Sequence, residues 1–426
     1  MHVRVFLVFV GLGLWSRPAQ AQAALAPVDA TRDSDARLGA LEARLRLLES
    51  ERSSEKSRVA LSASPGKGIT VATADGRFSS SLRFRLQLRE TVVFDSTDTT
   101  SDFALKTIRL RNEGHALVPE LRYSIQLALG AGDFEKDNSS PLFDAYVEYT
   151  KLDALNVRVG QFFVPFGRAR SVRECALSLV DRPQSVREFS LDRDVGLRIG
   201  SSDTFFGRGV LGYSAFVGSG DGKNRVSSGA PGVLLVGRLM FRPFGAFDDD
   251  VEGDLERERR PRLALGLSAA YNHATNRQQS TFGNTLSLGT LDYTHGAVDV
   301  AFKYGGLAVL AEAAFRKAST EHLDAIVDGA PRREWARSGV GYFVQVGTMV
   351  HSRVELVARW DHLQSIGATD PKLVRQDREE GHQAGFGASL YLNGHFLKLQ
   401  ADYFHVRGAT AADIRNQARL QLDASF

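Results

Sequence analysis

From about Thr70 to Phe426 the chain alternates between apolar and polar residues with a period of two. In Leu82-Arg83-Phe84-Arg85-Leu86-Gln87-Leu88-Arg89 every even position is apolar and every odd one is polar. Successive side chains of an extended chain point to opposite faces, so such a run specifies a strand with one oily and one polar side. Leu121 to Leu127, Val354 to Trp360 and Leu397 to Tyr403 repeat the pattern. The chain ends on Ala418, Leu420, Leu422, Ala424 and Phe426 against Arg419, Gln421 and Asp423. No helical pattern interrupts the series.

The alternation predicts about sixteen strands, centred on 77–94, 102–118, 120–132, 142–150, 154–164, 194–201, 208–218, 232–243, 261–273, 289–303, 306–316, 337–350, 351–362, 381–393, 394–405 and 413–426. Val118-Pro119-Glu120, Lys151-Leu152-Asp153, Gly305-Gly306 and Asn393-Gly394 make short turns, whereas 133–141, 219–231, 274–288, 317–336 and 363–380 make longer polar loops. An even strand number with short turns at one end and long loops at the other describes an all-β, transmembrane, antiparallel up-and-down β-barrel of the outer-membrane type. A sandwich would not alternate its connections so regularly. A propeller would carry a blade repeat, and none is present. The oily faces then meet the lipid bilayer, with Phe94, Tyr149, Trp360, Tyr403 and Phe426 suited to aromatic girdles. Sixteen strands leave room for a wet lumen.

The preceding segment is of another kind. Met1, His2 and Arg4 lead into an apolar run from Val5 to Trp15, and Ala19, Ala21 and Ala23 offer small-residue cleavage sites. Residues 1–23 thus read as a cleaved signal peptide, sending the chain to the bacterial outer membrane. Residues 24–69 read as a periplasmic coiled-coil segment and linker, and 70–426 as the barrel. Between Ala36 and Ser57, Leu38, Leu41, Leu45 and Leu48 form a heptad seam. A helix this short is marginal alone and calls for copies of itself, the alternative being a solvated spacer. Ser62 to Gly68, with Pro65 and Gly66, reads as the linker.

Composition removes other classes. With 53 Lys+Arg against 50 Asp+Glu the net charge is +3, too balanced for a nucleic-acid binder. One cysteine, Cys175, excludes an internal disulfide framework and reads as an inert thiol. A mean hydropathy of −0.19 argues against a bundle of spanning helices.

Parity places candidate chemistry in the lumen. Arg83, Arg85 and Arg89 point inward on the first strand, Arg109 and Arg111 beside Glu113 on the second, and Arg122 on the third. Arg158 and Arg198 extend this sector. A guanidinium keeps its charge and offers forked donors to phosphate or carboxylate oxygens. Two readings stay open: a basic path for small anions, or cations paired with acids from the facing wall or an inward loop. The gap between Gln161 and Val195 carries Arg168, Arg170, Arg173, Arg182, Arg187 and Arg193 with Glu174, Asp181, Glu188, Asp192 and Asp194. A loop this long in a compact domain is expected to be functional. Folded into the lumen over about 165–193, it would narrow the pore.

Val159-Gly160-Gln161-Phe162-Phe163-Val164-Pro165-Phe166-Gly167, followed by Arg193-Asp194-Val195-Gly196-Leu197, resembles the phosphate-selective porin O/P family of bacterial outer-membrane proteins. Phe143 to Tyr149, Asp75 to Phe78 and Pro243-Phe244-Gly245 are similar to it as well. The resemblance implies a homotrimeric sixteen-stranded porin with its third loop folded inward and an arginine ladder leading to a narrow anion site. It also implies lysines at the constriction, whereas this chain has none between 152 and 222.

Enzyme signatures fail on context. Gly207 to Gly212 matches a dinucleotide-binding spacing, but a strand follows it. The acidic run Asp248, Asp249, Asp250, Glu252 and Asp254 lacks a glycine-centred calcium loop and reads as a solvated periplasmic turn. The expectation is therefore a passive, cofactor-free channel for small anions, phosphate or related oxyanions foremost. The alternatives are a general porin with little selectivity, or a structural or enzymatic barrel.

Overall fold

The computed structural model describes residues 30–56, 59–95, 97–130, 133–134, 140–152, 154–201, 208–225, 232–409 and 414–426. The expected signal peptide lies outside them. The chain divides into two units, Met1–Lys56 and Ser57–Phe426. In the first, helix α1 (Ala30–Lys56) contains the heptad segment, and Leu38, Leu41, Leu45 and Leu48 are all exposed.

The second unit opens with a hairpin of β1 (Val59–Ser64) and β2 (Gly68–Thr73), paired from Val59 with Thr73 to Ser64 with Gly68. This corrects the linker expected over Ser62 to Gly68. Its Pro and Gly residues form a tight turn, with Gly66 and Gly68 at φ of 76° and 73°, a conformation open to glycine without strain.

The barrel follows as β3 (Phe78–Phe94), β4 (Thr99–Ala116), β5 (Leu121–Ala128), β6 (Leu142–Leu152), β7 (Leu155–Phe163), β8 (Arg193–Ser201), β9 (Leu211–Gly218) and β10 (Val233–Phe241). It continues with β11 (Arg262–Thr275), β12 (Leu291–Tyr304) and β13 (Leu307–Ala318). A separate loop hairpin, β14 (His322–Val327) and β15 (Ala330–Trp335), precedes β16 (Gly339–His351), β17 (Val354–Ser365), β18 (His382–Asn393), β19 (Leu397–Arg407) and β20 (Ile414–Ser425). Each barrel strand pairs antiparallel with the next, β13 with β16 across the loop hairpin. The last, β20, closes on β3 from Asn416 opposite Phe94 to Ser425 opposite Arg85, making a sixteen-stranded barrel. Two short helices, α2 (Gln184–Phe189) and α3 (Pro371–Glu380), lie in loops read from the sequence as non-helical. The Asp370 side chain caps α3 by accepting from the Lys372 amide.

The two faces are inverted relative to a water-soluble protein. On β11, Leu265, Leu267 and Tyr271 are exposed outward while Ser268 and Asn272 are buried inward. Lipid covers the outer set, and closure leaves no unpaired edge within the bilayer. The lumen is not simply wet. The loop between β7 and β8, residues 164–192, folds inside, and its Val164, Phe166, Phe189 and Leu191 pack on Phe216, Leu234, Val236, Ala270, Ala297 and Ala314 of the inner wall. The turn between β10 and β11 also enters: Val251 packs on Val172, Ala176 and Leu177, and the Glu252 amide donates to the Ala176 carbonyl. Asp249, Glu252 and Asp254 are buried there. This corrects the solvated periplasmic turn expected from the acidic run, whose charges are absorbed by partners inside the barrel.

Candidate pore constriction

The inward loop is fixed at several points by wall carboxylates. Gly167, at φ 65°, lets the chain turn against Glu312, which accepts from the amides of Arg168 and Ala169 at 2.7 and 2.9 Å. The Arg168 guanidinium is buried and donates to Asp299 at 2.8 Å and Asp249 at 2.6 Å, clamping the loop between wall and inserted turn. Farther along, the Ser178 amide donates to Glu252, the Val180 amide to Asp402, and the Ser185 amide to Asp361. Glu188 pairs with Arg316 at 2.6 Å and Arg337 at 2.9 Å.

The wall arginines project inward as parity predicts, and most meet acids the strand pattern could not reveal. Arg85 donates to Asp423 on the adjacent β20 at 2.9 and 2.7 Å and lies 3.5 Å from Glu174 of the loop. Arg89 binds Gln421 and, at 3.1 Å, Asp181. Arg83 and Arg111 share Glu113. Arg158 and Arg198 share Glu148 at 3.0 and 3.4 Å, and Arg122 is exposed opposite the same Glu148 in register. Arg109 pairs with Asp133 and lies 3.6 Å from Glu174. The arginines of this sector are therefore largely compensated.

In one place cations outnumber the carboxylates that line the same space. A cavity of about 440 Å³ between loop and wall is lined by Lys106, Arg109, Arg170, Arg182, Arg193, Lys223 and Arg277 against the carboxylates of Asp133, Glu174 and Asp192, with Phe134, Phe143, Phe163 and Phe282 between them. Of the arginines named from the sequence, Arg109, Arg170, Arg182 and Arg193 reach it. Arg168 is instead an anchor behind the loop, and Arg173 and Arg187 are exposed away from this lining. Sequence reasoning missed Lys106, Lys223 and Arg277 altogether. Lys106 is the extra residue of a β-bulge, since Gln87 faces Thr107 and Leu88 faces Leu105. Lys223 comes from the next long loop and donates to the Asp133 carbonyl at 3.0 Å.

Two of the cavity's carboxylates, Glu174 and Asp192, are held in the ionised form. Burial opposes charge on Glu174, but Arg109, Arg182 and Arg85 outweigh it and hold the pKa down to about 2. Desolvation also opposes charge on the half-buried Asp192, and Arg170 and Arg193 outweigh it and hold this carboxyl well below the usual carboxylate range.

The sequence matches the family described as phosphate-selective porin O and P over residues 81–326, more than half of the chain. The chain belongs to that family. Solved structures agree on the fold. OmpF of Salmonella typhi, in a complex with daunomycin, aligns at a TM-score of 0.53 and 13% identity, covering 82% of this porin and 98% of that chain. An anion-selective porin from Comamonas acidovorans aligns at 0.50 and 11%, covering 82% and 100%. OprB of Pseudomonas putida aligns at 0.50 and 9%, covering 82% and 94%. At such identities the likeness concerns the barrel alone. No curated protein matches the sequence. This porin is thus an outer-membrane β-barrel of the channel-forming type.

Proposed function

We propose that this porin conducts small anions by passive diffusion, with phosphate or a related oxyanion as the favoured solute. The observation that carries this reading is the cavity lining, where seven cations face three carboxylates. Fixed cations raise the local concentration of anions and exclude cations. Guanidinium and ammonium donors replace part of a solute's hydration, and neighbouring carboxylates keep each contact weak enough for the ion to leave. The neutralised wall arginines favour a second reading, a general pore of low selectivity, because a compensated wall adds little field.

The two separate in planar bilayers. In a KCl gradient the reversal potential is expected to take the sign of chloride permeation, and added inorganic phosphate to reduce the chloride current in a saturable way. A cation-selective pore overturns the proposal, and an unselective pore that phosphate leaves unaffected supports the second reading.

A further inference from the structure

We infer that Phe143 sets the anion selectivity of the constriction by gathering its cations on an aromatic ring; this rests on the anion reading above.

Strict alternation along β6 would place Phe143 on the lipid side with Ala145, Val147 and Tyr149. It does not lie there, because the pairing with β5 slips: Gln126 faces Asp144, and the next residue, Leu127, faces Leu142. Phe143 is the unpaired residue of this β-bulge, a device that re-aims a side chain. Its ring lines the cavity. The Arg193 guanidinium carbon lies 4.0 Å from the ring centroid, that of Arg109 4.2 Å, and the Lys223 ammonium 4.4 Å.

These three cations come from three different parts of the chain and would repel one another. The nearby acids relieve that repulsion in part: Arg193 binds Asp144 and Asp192, and Arg109 binds Asp133 and Glu174. A carboxylate holds a cation by cancelling a unit of charge. A ring holds it through its quadrupole and cancels none. Phe143 therefore packs cations together while leaving their field directed at the solute. A leucine would fill comparable space and lack the quadrupole. Phe143 thus acts as a positioning and specificity-determining residue, and the solutes it favours are compact anions that can bridge two or more of these cations.

The test uses the full-length porin in planar bilayers, with KCl-gradient reversal potentials and inorganic phosphate titrated against the chloride current. Phe143→Leu is expected to lower the anion-to-cation permeability ratio and the apparent phosphate affinity, each about fivefold, while Phe143→Tyr stays close to wild type. Pentafluorophenylalanine at position 143 keeps the ring's shape and reverses its quadrupole, so it should behave like the leucine variant, and it decides the matter if Phe143→Leu fails to fold. Selectivity unchanged in the fluorinated porin, or lost equally in the tyrosine variant, overturns the inference. A wild-type pore without anion preference would instead overturn the reading on which it rests.

Discussion

Glu174 is where the charges of loop and wall meet. Its carboxylate lies 3.5 Å from Arg85, 3.6 Å from Arg109 and 3.5 Å from Arg182. It offsets three guanidinium groups at once and so limits the field in the cavity. Glu174→Gln keeps the shape and removes the charge, and it is expected to raise the anion-to-cation permeability ratio about two- to fivefold by reversal potential, at some cost in loop stability. The pH dependence follows from the same contacts. A carboxyl whose pKa is depressed by folding stabilises the fold above its unfolded value near 4, and that contribution is lost as the pH falls through the folded value of about 2. Glu174 and Asp192 are therefore expected to add no change in wild-type selectivity between about pH 8 and pH 4, and a marked rise on acidification across that range that is absent from Glu174→Gln would show that Glu174 titrates earlier. Little of this was legible in the sequence. Glu174 was one acid among five in a mixed loop, and its partners lie on β3, on β4 and farther along the loop itself.

At the scale of elements, what gives the pore its shape is a loop and a turn held face to face inside a rigid barrel. The length of the 164–192 segment and its place between two strands of clear period announced an inward loop. Its mixed charge suggested ion pairs, but their directions were hidden. Arg168, grouped with the pore candidates, holds the loop to Asp299 on β12 and Asp249 in the inserted turn. Arg168→Met would take this partner from both buried carboxylates, but Asp299 keeps Arg238 and Asp249 keeps Arg242, so the loss is expected to fall below the roughly 3–5 kcal/mol of a buried charge left unpaired. The expected result is a loosened loop, seen as faster proteolytic cleavage between 164 and 192 and as noisier single-channel current, with the barrel itself intact on gels. Unchanged proteolysis would show that the other anchors suffice. The acidic turn was misread because local sequence cannot tell a solvated carboxylate from one buried against Arg168 and Arg242. The β-bulges at Lys106 and Phe143 escaped for a related reason: each is a slip of one strand against another.

For the molecule as a whole, the assembly belongs with the helix. The heptad leucines of α1 are exposed. We propose a homotrimer tied together in part by this segment. Deleting residues 36–57 should weaken oligomers on native gels without preventing barrel formation, and an unchanged trimer would make the helix a spacer. By itself the sequence determined a strand number of about sixteen, the faces of most strands and the contrast of short turns with long loops, because alternation and turn chemistry are local properties written residue by residue. Only the tertiary structure decided which cations keep their field. That outcome depends on carboxylates such as Asp423, 338 residues from its partner Arg85, and on slips in register that turn Lys106 and Phe143 into the lumen. Charge pairing across a closed barrel is set by what closure brings together, and no local pattern encodes it.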